Sequence, residues 1–422
     1  MTEEEARNNG GARGEDFRFI TFCDDEEEAV RRKVRVKVFG VGGAGGNAVN
    51  RMINSGLTGV DFVAVNTDNQ DLEKSLAPVR VPIGQRDTCG LGTGGDPERG
   101  QKAAIDDTDS LMKHIEGADM IFIAAGMGGG TGTGAAPILA RLSANAGALT
   151  VAVVTKPFEW EGKQRFDNSA YGLQQLTGAA ATLIAIPNDN LLTTLPEDVS
   201  LEDAFKAADD VLRQGVQGIS DLVTRPGTIN LDFQDVRSIL SAGGRAVMGV
   251  GIASGKDRGS VAAQKAANNP LLENASIEGA RSILINVAGG KSISLNDFKT
   301  ACASVKEKAH PDVNVISGTS TEDSLGDNIK VTVVAAAFDN EKPISQKSVV
   351  NGGVVVGPFN AKASTAPTKQ ASPDSPDFLR GKAEREMLFS ADEFIPTPPP
   401  RNEKDYEGYQ TPSFFRNKKK RD

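Results

Sequence analysis

The sequence predicts an α/β protein: a Rossmann-type parallel sheet joined by a long central helix to a second α/β domain, with disordered termini. Three observations predict it. Apolar runs of strand length alternate with helical stretches five or six times between residues 33 and 200. Two of those strands lead directly into glycine-dense turns that open helices, at 40–47 and 126–134. Glycine is abundant (46 residues) and aromatics are scarce, which suits many tight strand-to-helix turns.

At 422 residues the chain is long enough for two ordinary domains. Its net charge of −9 argues against general nucleic-acid binding. Cys23, Cys89 and Cys302 lie far apart with no paired spacing, so neither a disulfide framework nor a zinc site is expected, and a reducing cytoplasm fits. His114 and His310 sit in no metal-like cluster and read as ordinary surface histidines, so no metal site made by the protein alone is expected. The N-terminus is acidic and polar, unlike a secretory signal. No apolar run approaches the roughly 20 residues that span a bilayer, so any membrane link is expected to be indirect.

Taken in order, residues 1–32 hold ten acidic and five basic side chains and read as a disordered arm. The alternation over 34–39 reads as a strand. It runs into Gly40-Val41-Gly42-Gly43-Ala44-Gly45-Gly46-Asn47 and a helix through Ile53. Residues 60–65 form the next strand, ending at Asn66-Thr67-Asp68, where open α/β sheets bind ligands. A short strand at 79–83 precedes a glycine-rich loop, 84–95, that could wall the same site. A helix is predicted over 97–115, with Asp96 as N-cap and Pro97 at its first position.

The apolar run 120–125 reads as a buried strand feeding Gly126-Met127-Gly128-Gly129-Gly130-Thr131-Gly132-Thr133-Gly134 and a helix over 135–146. A glycine turn opening a helix presents backbone N–H groups at the positive end of the helix dipole. Absent side chains let phosphate oxygens approach, and threonine hydroxyls add donors. The stretch reads as a phosphate cradle; the plain alternative is a flexible glycine linker. Strands at 149–154 and 183–186 complete the first unit.

The central helix, 201–223, has Leu201, Phe205, Ala208, Leu212, Val216, Ile219 and Val223 on one face. It would span about 35 Å at ~1.5 Å per residue. Gly215 and Gly218 should weaken it by about 1 kcal/mol each unless a close neighbour needs them small. A loop at 228–237 follows. The second unit reads as strand 246–253, helix 257–268, strand 281–288, helix 295–309, and strands 312–317 and 329–337. From 339 periodicity stops, and 339–405 reads as a disordered linker. Residues 406–422 end with two aromatics beside a basic run, which reads either as a docking peptide or as a solvated end.

Gly40, Gly42 and Gly45 satisfy G-x-G-x-x-G and alone would suggest a dinucleotide enzyme. A second, threonine-bearing glycine loop does not belong to that single-fingerprint site. Neither loop continues into Lys-Ser or Lys-Thr, which excludes a P-loop NTPase. What remains is one nucleotide whose phosphates are held by backbone amides and hydroxyls. The base stays open at this point.

Gly129-Gly130-Thr131-Gly132-Thr133-Gly134 resembles the tubulin-superfamily signature, and 33–338 resembles the FtsZ family of bacterial division GTPases. The likeness extends through Gly42 to Asn47, Asn66-Thr67-Asp68, Thr155-Lys156-Pro157-Phe158, Glu161-Gly162, Arg165 and Ile186-Pro187-Asn188-Asp189. It continues through Thr224-Arg225-Pro226-Gly227 and Asn230-Leu231-Asp232-Phe233-Gln234-Asp235. The resemblance implies a tubulin-like fold, GTP and GDP as ligands, Mg²⁺ on the phosphates, and head-to-tail protofilaments of a division ring inside the cytoplasmic membrane at midcell.

Residue by residue, it implies that Gly43, Ala44, Gly45, Gly46 and Asn47, with Gly128, Gly129, Gly130, Thr131, Gly132, Thr133 and Gly134, surround the phosphates and ribose. Glu161 and Arg165 match ribose and phosphate contacts, and Asn188 and Asp209 match guanine contacts. Phe205 would stack on the base, although as a residue of the central helix it reads equally as a core aromatic. Asp232 and Asp235, otherwise solvated loop carboxylates, would with Asn230 position the attacking water on the neighbouring subunit's nucleotide. Pro412, Phe414, Phe415 and Arg416 would dock a membrane-tethered adaptor. Two departures stand out: Ala44 replaces a common glycine, and Gln410 and Thr411 stand where an acid and an aliphatic are usual. A tubulin-like filament protein for plasmid partition or cell shape is the nearest alternative.

Overall fold

The structure, a computed structural model, describes residues 33–338 except 193, 194, 197, 226, 242, 243, 270–276, 278 and 291. The acidic arm, the 339–405 linker and the 406–422 peptide lie outside the described residues.

The first part of the chain alternates strand and helix. It comprises β1 (Val36–Val41), α1 (Gly42–Asn54), β2 (Val60–Asn66), α2 (Asn69–Glu73), β3 (Val79–Pro82), α3 (Gln85–Thr88), α4 (Pro97–Asp106) and α5 (Thr108–Ile115). It continues with β4 (Met120–Gly126), α6 (Thr131–Asn145), β5 (Leu149–Lys156), α7 (Lys163–Thr177), β6 (Thr182–Pro187) and α8 (Asp189–Leu192). The central helix is α9 (Leu201–Thr224). Beyond it come α10 (Phe233–Leu240), β7 (Arg245–Ala253), α11 (Arg258–Ala267), β8 (Ala280–Gly289), α12 (Leu295–Lys306), β9 (Asn314–Thr321) and β10 (Ile329–Phe338).

Among the described residues the strands form one sheet in the order β3-β2-β1-β4-β5-β6-β7-β10-β8-β9. The first six are parallel and doubly wound, so the order reverses between β1 and β4. These are the two strands that carry the glycine turns. Their register pairs Val41 with Ala125, which brings both turns to the same carboxyl edge. The second unit is not a detached layer. β7 continues the sheet through Leu183↔Arg245 and Ile184↔Ala246, and then pairs antiparallel with β10.

One core runs from Val38, Met52 and Phe122 through Leu212, Val216 and Ile219 of α9 to Met248 and Val334. A second fills the far face of the later strands, between Ile285, Val331, Ala263 and Ala301. The close neighbours expected at α9's glycines exist. A methyl on Gly215 would meet Val153 at 2.8 Å, and one on Gly218 would meet Thr332 at 2.6 Å.

Four local expectations change. The helix over 97–115 breaks at Asp107, whose carboxylate accepts the Gly84 N–H at 2.6 Å instead of leaving the helix undisturbed. The loop over 228–237 closes into α10 at Phe233, because the Asp232 carboxylate caps the Asp235 N–H at 2.8 Å. The helix after the second glycine turn begins at Thr131, four residues earlier than its apolar run suggests. Leu201 and Phe205 also leave the apolar face of α9, being 61% and 38% exposed.

Candidate functional site

The helices that follow the two glycine turns start without side-chain caps. Val41 precedes α1 and Gly130 precedes α6, and neither supplies a side-chain acceptor to the first turn. The first amides of both helices are therefore open to a ligand, at the positive ends of two helix dipoles. Gly42 is left-handed (φ 71°), and a methyl there would come within 2.9 Å of the Gly132 nitrogen, so the turns touch. The Ala44 methyl lies 2.7 Å from where a Cβ on Gly126 would sit. This chain's departure from the common glycine thus fills space that Gly126 leaves open.

These turns floor a cavity of about 330 Å³, within the range of small-molecule sites. Two loops wall the same end. Asn66 Oδ1 accepts the N–H groups of Thr67 (2.8 Å) and Asp68 (3.3 Å), which fixes the turn after β2. The buried Thr67 and Thr131 hydroxyls bond at 2.6 Å and tie that turn to α6. The 84–95 loop is held against it by Asn69 N–H to Gly90 O (3.0 Å) and Gly92 N–H to Thr67 O (3.2 Å), bringing Gly92 and Thr93 to the cavity.

The other end is made of side chains. Phe158 N–H donates to Glu161 Oε1 at 2.9 Å, and Arg165 Nη1 pairs with Glu161 Oε2 at 2.5 Å. Asn188, at the carboxyl end of β6, is buried, and its Oδ1 has no hydrogen-bond partner among the described residues. Asp209 meets Arg51 Nε at 3.4 Å. Burial pushes the Asp209 carboxyl up to about 6, against the opposing pull of Arg51. Two residues that carry acceptors, Asn188 and Asp209, therefore line this end. Such a pair matches the N1–H and N2–H donors of guanine and not the single exocyclic amine of adenine.

Of the residues expected to bind nucleotide, Gly43, Ala44, Gly129, Gly130, Thr131, Gly132, Glu161, Arg165, Asn188, Phe205 and Asp209 line this cavity. Gly46 and Asn47 line a small adjoining recess instead. Four others stand behind the wall. Gly45 packs on the Ala124 carbonyl, and Gly134 lets α4 cross α6 at Pro97 and Gln101. The Thr133 hydroxyl accepts the Gly128 N–H at 2.9 Å and so braces the turn from inside. Asp71, Thr155, Pro157 and Ala208 join the lining without having been anticipated. Thr155 had a signal, since it lies near the carboxyl end of a parallel strand, in register with Gly126.

Asn230, Asp232 and Asp235 do not reach the cavity of their own chain. Asn230 Oδ1 accepts the Gly227 N–H at 2.7 Å, and Asp232 is exposed as the cap of α10. Among the described residues no group of three His, Cys, Asp or Glu could hold a metal, and no helix is long and apolar enough to cross a membrane.

A cavity floored by backbone amides at the switch point of a doubly wound sheet, with Asn188 and Asp209 at its other end, has the layout of a nucleotide site. Residues 35–196 match the model of the tubulin/FtsZ family GTPase domain, and residues 244–339 match that of the FtsZ family C-terminal domain. An FtsZ dimer structure from M. jannaschii is 39% identical, with a TM-score of 0.70 over 73% of this chain and 90% of that one. CetZ1 (GDP-bound monomer) and CetZ2 (GTPγS-bound protofilament) from Haloferax volcanii share the fold. They are 24% and 23% identical, with TM-scores of 0.63 and 0.62 over 73% and 74% of this chain and 95% of each of theirs. The chain belongs to the tubulin/FtsZ family of GTPases.

Proposed function

We propose that this GTPase assembles head-to-tail into protofilaments and hydrolyses GTP at the joint between subunits, with hydrolysis driving turnover. One observation carries the reading: the carboxylates that would position water stand outside the cavity proposed for the nucleotide, on the turn that opens α10. A site lacking part of its machinery in one chain is completed by a second. The FtsZ structure from M. jannaschii is described as a dimer, which agrees with association between copies.

In this scheme the amides of Gly43 and Ala44 and of Gly130 to Gly132, with the Thr131 hydroxyl, hold the phosphates. Glu161 and Arg165 orient the ribose, while Asn188 and Asp209 read the guanine. Asp232 and Asp235 of the next subunit, aided by Asn230, orient the attacking water. Phosphoryl transfer needs little beyond positioning and charge stabilisation. Mg²⁺ fits this end, since Asp68 and Asp71 bring hard oxygen donors beside the amides, and among the described residues no protein cluster would hold the ion without the phosphates. When bound, it neutralises charge on the phosphates.

Residues 33–200 would then bind nucleotide, α9 would join the two parts, and 224–338 would present the catalytic turn. The family resemblance of the tail extends the reading to a division ring at the cytoplasmic membrane at midcell, held by an adaptor on Pro412, Phe414, Phe415 and Arg416. The alternative, a filament protein for cell shape, shares every element except that attachment.

The test is the GTPase rate per molecule against protein concentration, with light scattering and Mg²⁺ present. The rate should rise with concentration as polymer forms; a constant rate without polymer rejects the scheme. Asp235→Ala should bind GTP, hydrolyse it poorly, and depress a wild-type mixture beyond simple dilution.

A further inference from the structure

Guanine recognition by Asn188 and Asp209 leaves the aromatic side of the base end unexplained. The tight turn at Glu159–Glu161 sends Phe158 inward and Trp160 outward. Phe158 is buried, and the indole of Trp160 stacks on its ring at 5.4 Å and 18°. Phe205, from the second turn of α9, stands edge-on to both rings, at 5.6 Å and 81° to Phe158 and 5.9 Å and 74° to Trp160. The backbone carrying Trp160 is pinned on both sides: Phe158 N–H donates to Glu161, and Glu159 N–H donates to Asp189 Oδ1 at 3.1 Å.

Phe205 lines the cavity and Trp160 does not. Yet Trp160 is 57% exposed, and an aromatic ring left this open buries too little area to be held there for core stability. What it does touch is the ring of Phe205, itself 38% exposed and on a helix that offers it other staggered rotamers. Edge-to-face contacts of this kind fix ring orientation and are strong enough to select one rotamer.

We propose that Trp160 is a positioning residue for base recognition: it holds the Phe205 ring in the orientation that stacks on the purine. This rests on the guanine-nucleotide reading of the cavity. Because Trp160 is the chain's one tryptophan, its emission should also report the base's arrival.

The test uses the full chain in calorimetric titrations with GDP and with inorganic tripolyphosphate, which has phosphates but no base. Trp160→Ala should weaken GDP binding about three- to tenfold and leave tripolyphosphate binding unchanged. Trp160→Phe should restore most of the loss. Phe205→Ala should weaken GDP further, and adding Trp160→Ala to it should change nothing, since both act through one ring. Wild-type emission should shift with GDP and stay constant with tripolyphosphate. An unchanged GDP affinity in Trp160→Ala, an equal loss for tripolyphosphate, or additive losses in the double variant would each overturn the proposal. A wild-type protein that binds tripolyphosphate but not GDP would instead overturn the guanine reading beneath it.

Discussion

The two ends of the cavity are built on opposite principles. The end proposed to hold phosphate is almost all backbone: two uncapped helix N-termini, meeting where β1 and β4 lie side by side. The end proposed to hold the base is almost all side chain: Asn188 from the end of β6, Asp209 and Phe205 from α9, and Glu161 from the turn after β5. Phosphate is recognised by charge and close approach, which any chain with glycine in the right turn supplies. A base is recognised by the pattern of donors and acceptors on its edge, which requires particular side chains at particular heights. The first end is therefore tolerant of ligand and intolerant of added volume. The second is tolerant of volume and selective in hydrogen bonding.

Substitutions that separate the ends sharpen this contrast. The largest effect is expected at Gly132. A methyl there would lie 2.6 Å from the Gly126 carbonyl, so Gly132→Ala must push the two sides of the turn apart. Binding of GTP and of tripolyphosphate should both fall by about a hundredfold or more, since the donors lose their aim. Equal affinities for wild type and variant by calorimetry would mean that the turn does not hold phosphate.

Asp209→Asn should act on the base alone. Losing a hydrogen bond to a charged group costs about 1.5–3 kcal/mol, so GTP affinity should drop roughly ten- to a hundredfold. Tripolyphosphate should bind as before, and a xanthine nucleotide should gain, because an amide can donate where the carboxylate only accepts. The same residue should make wild-type binding pH-dependent. With its carboxyl near 6, protonation removes the acceptor, so affinity for GTP should fall as pH drops through that value, and the asparagine variant should lose the dependence. Stability runs the other way. Since the folded pKa lies above the ordinary 3.8, the folded protein binds a proton that the unfolded chain has released. The contribution is complete below about pH 4 and is lost as pH rises through 6, a span on the order of 3 kcal/mol. Denaturant midpoints of the ligand-free protein across this range should show a fall that Asp209→Asn flattens.

The smallest effect is expected at Thr67. Thr67→Val leaves the Thr131 hydroxyl buried without its 2.6 Å partner, at a cost of about 1–3 kcal/mol in stability. Thr67→Ser keeps the hydroxyl and should recover most of this in a thermal melt. Equal melting temperatures for the two variants would show that the bond between the walls contributes nothing.

The two glycine turns that floor the cavity were legible in the chain, and the reason is local. A strand, a glycine turn and a helix are consecutive in sequence, so Gly42-Gly43-Ala44 and Gly129-Gly130-Thr131-Gly132 stand out within ten residues. Other roles were less legible because they are made by contacts between distant segments. Gly134 looks like more of the cradle, but it serves the crossing of α4 over α6. Thr133 looks like a donor to phosphate, but it is buried outside the cavity lining, where its hydroxyl accepts the Gly128 N–H. Asp232 reads as a loop carboxylate until α10 forms beneath it.

By itself, then, the sequence determined the order of strands and helices, the two glycine turns and most of the apolar face of α9, because each depends on periodicity or backbone freedom within one element. Only the tertiary structure decided that β7 extends the first sheet. It also decided that Phe205 leaves the core for the cavity mouth, and that burial beside Arg51 lifts the Asp209 carboxyl. These depend on strand neighbours, solvent exclusion and distances between residues more than a hundred positions apart. Such quantities come into being only when the chain closes on itself.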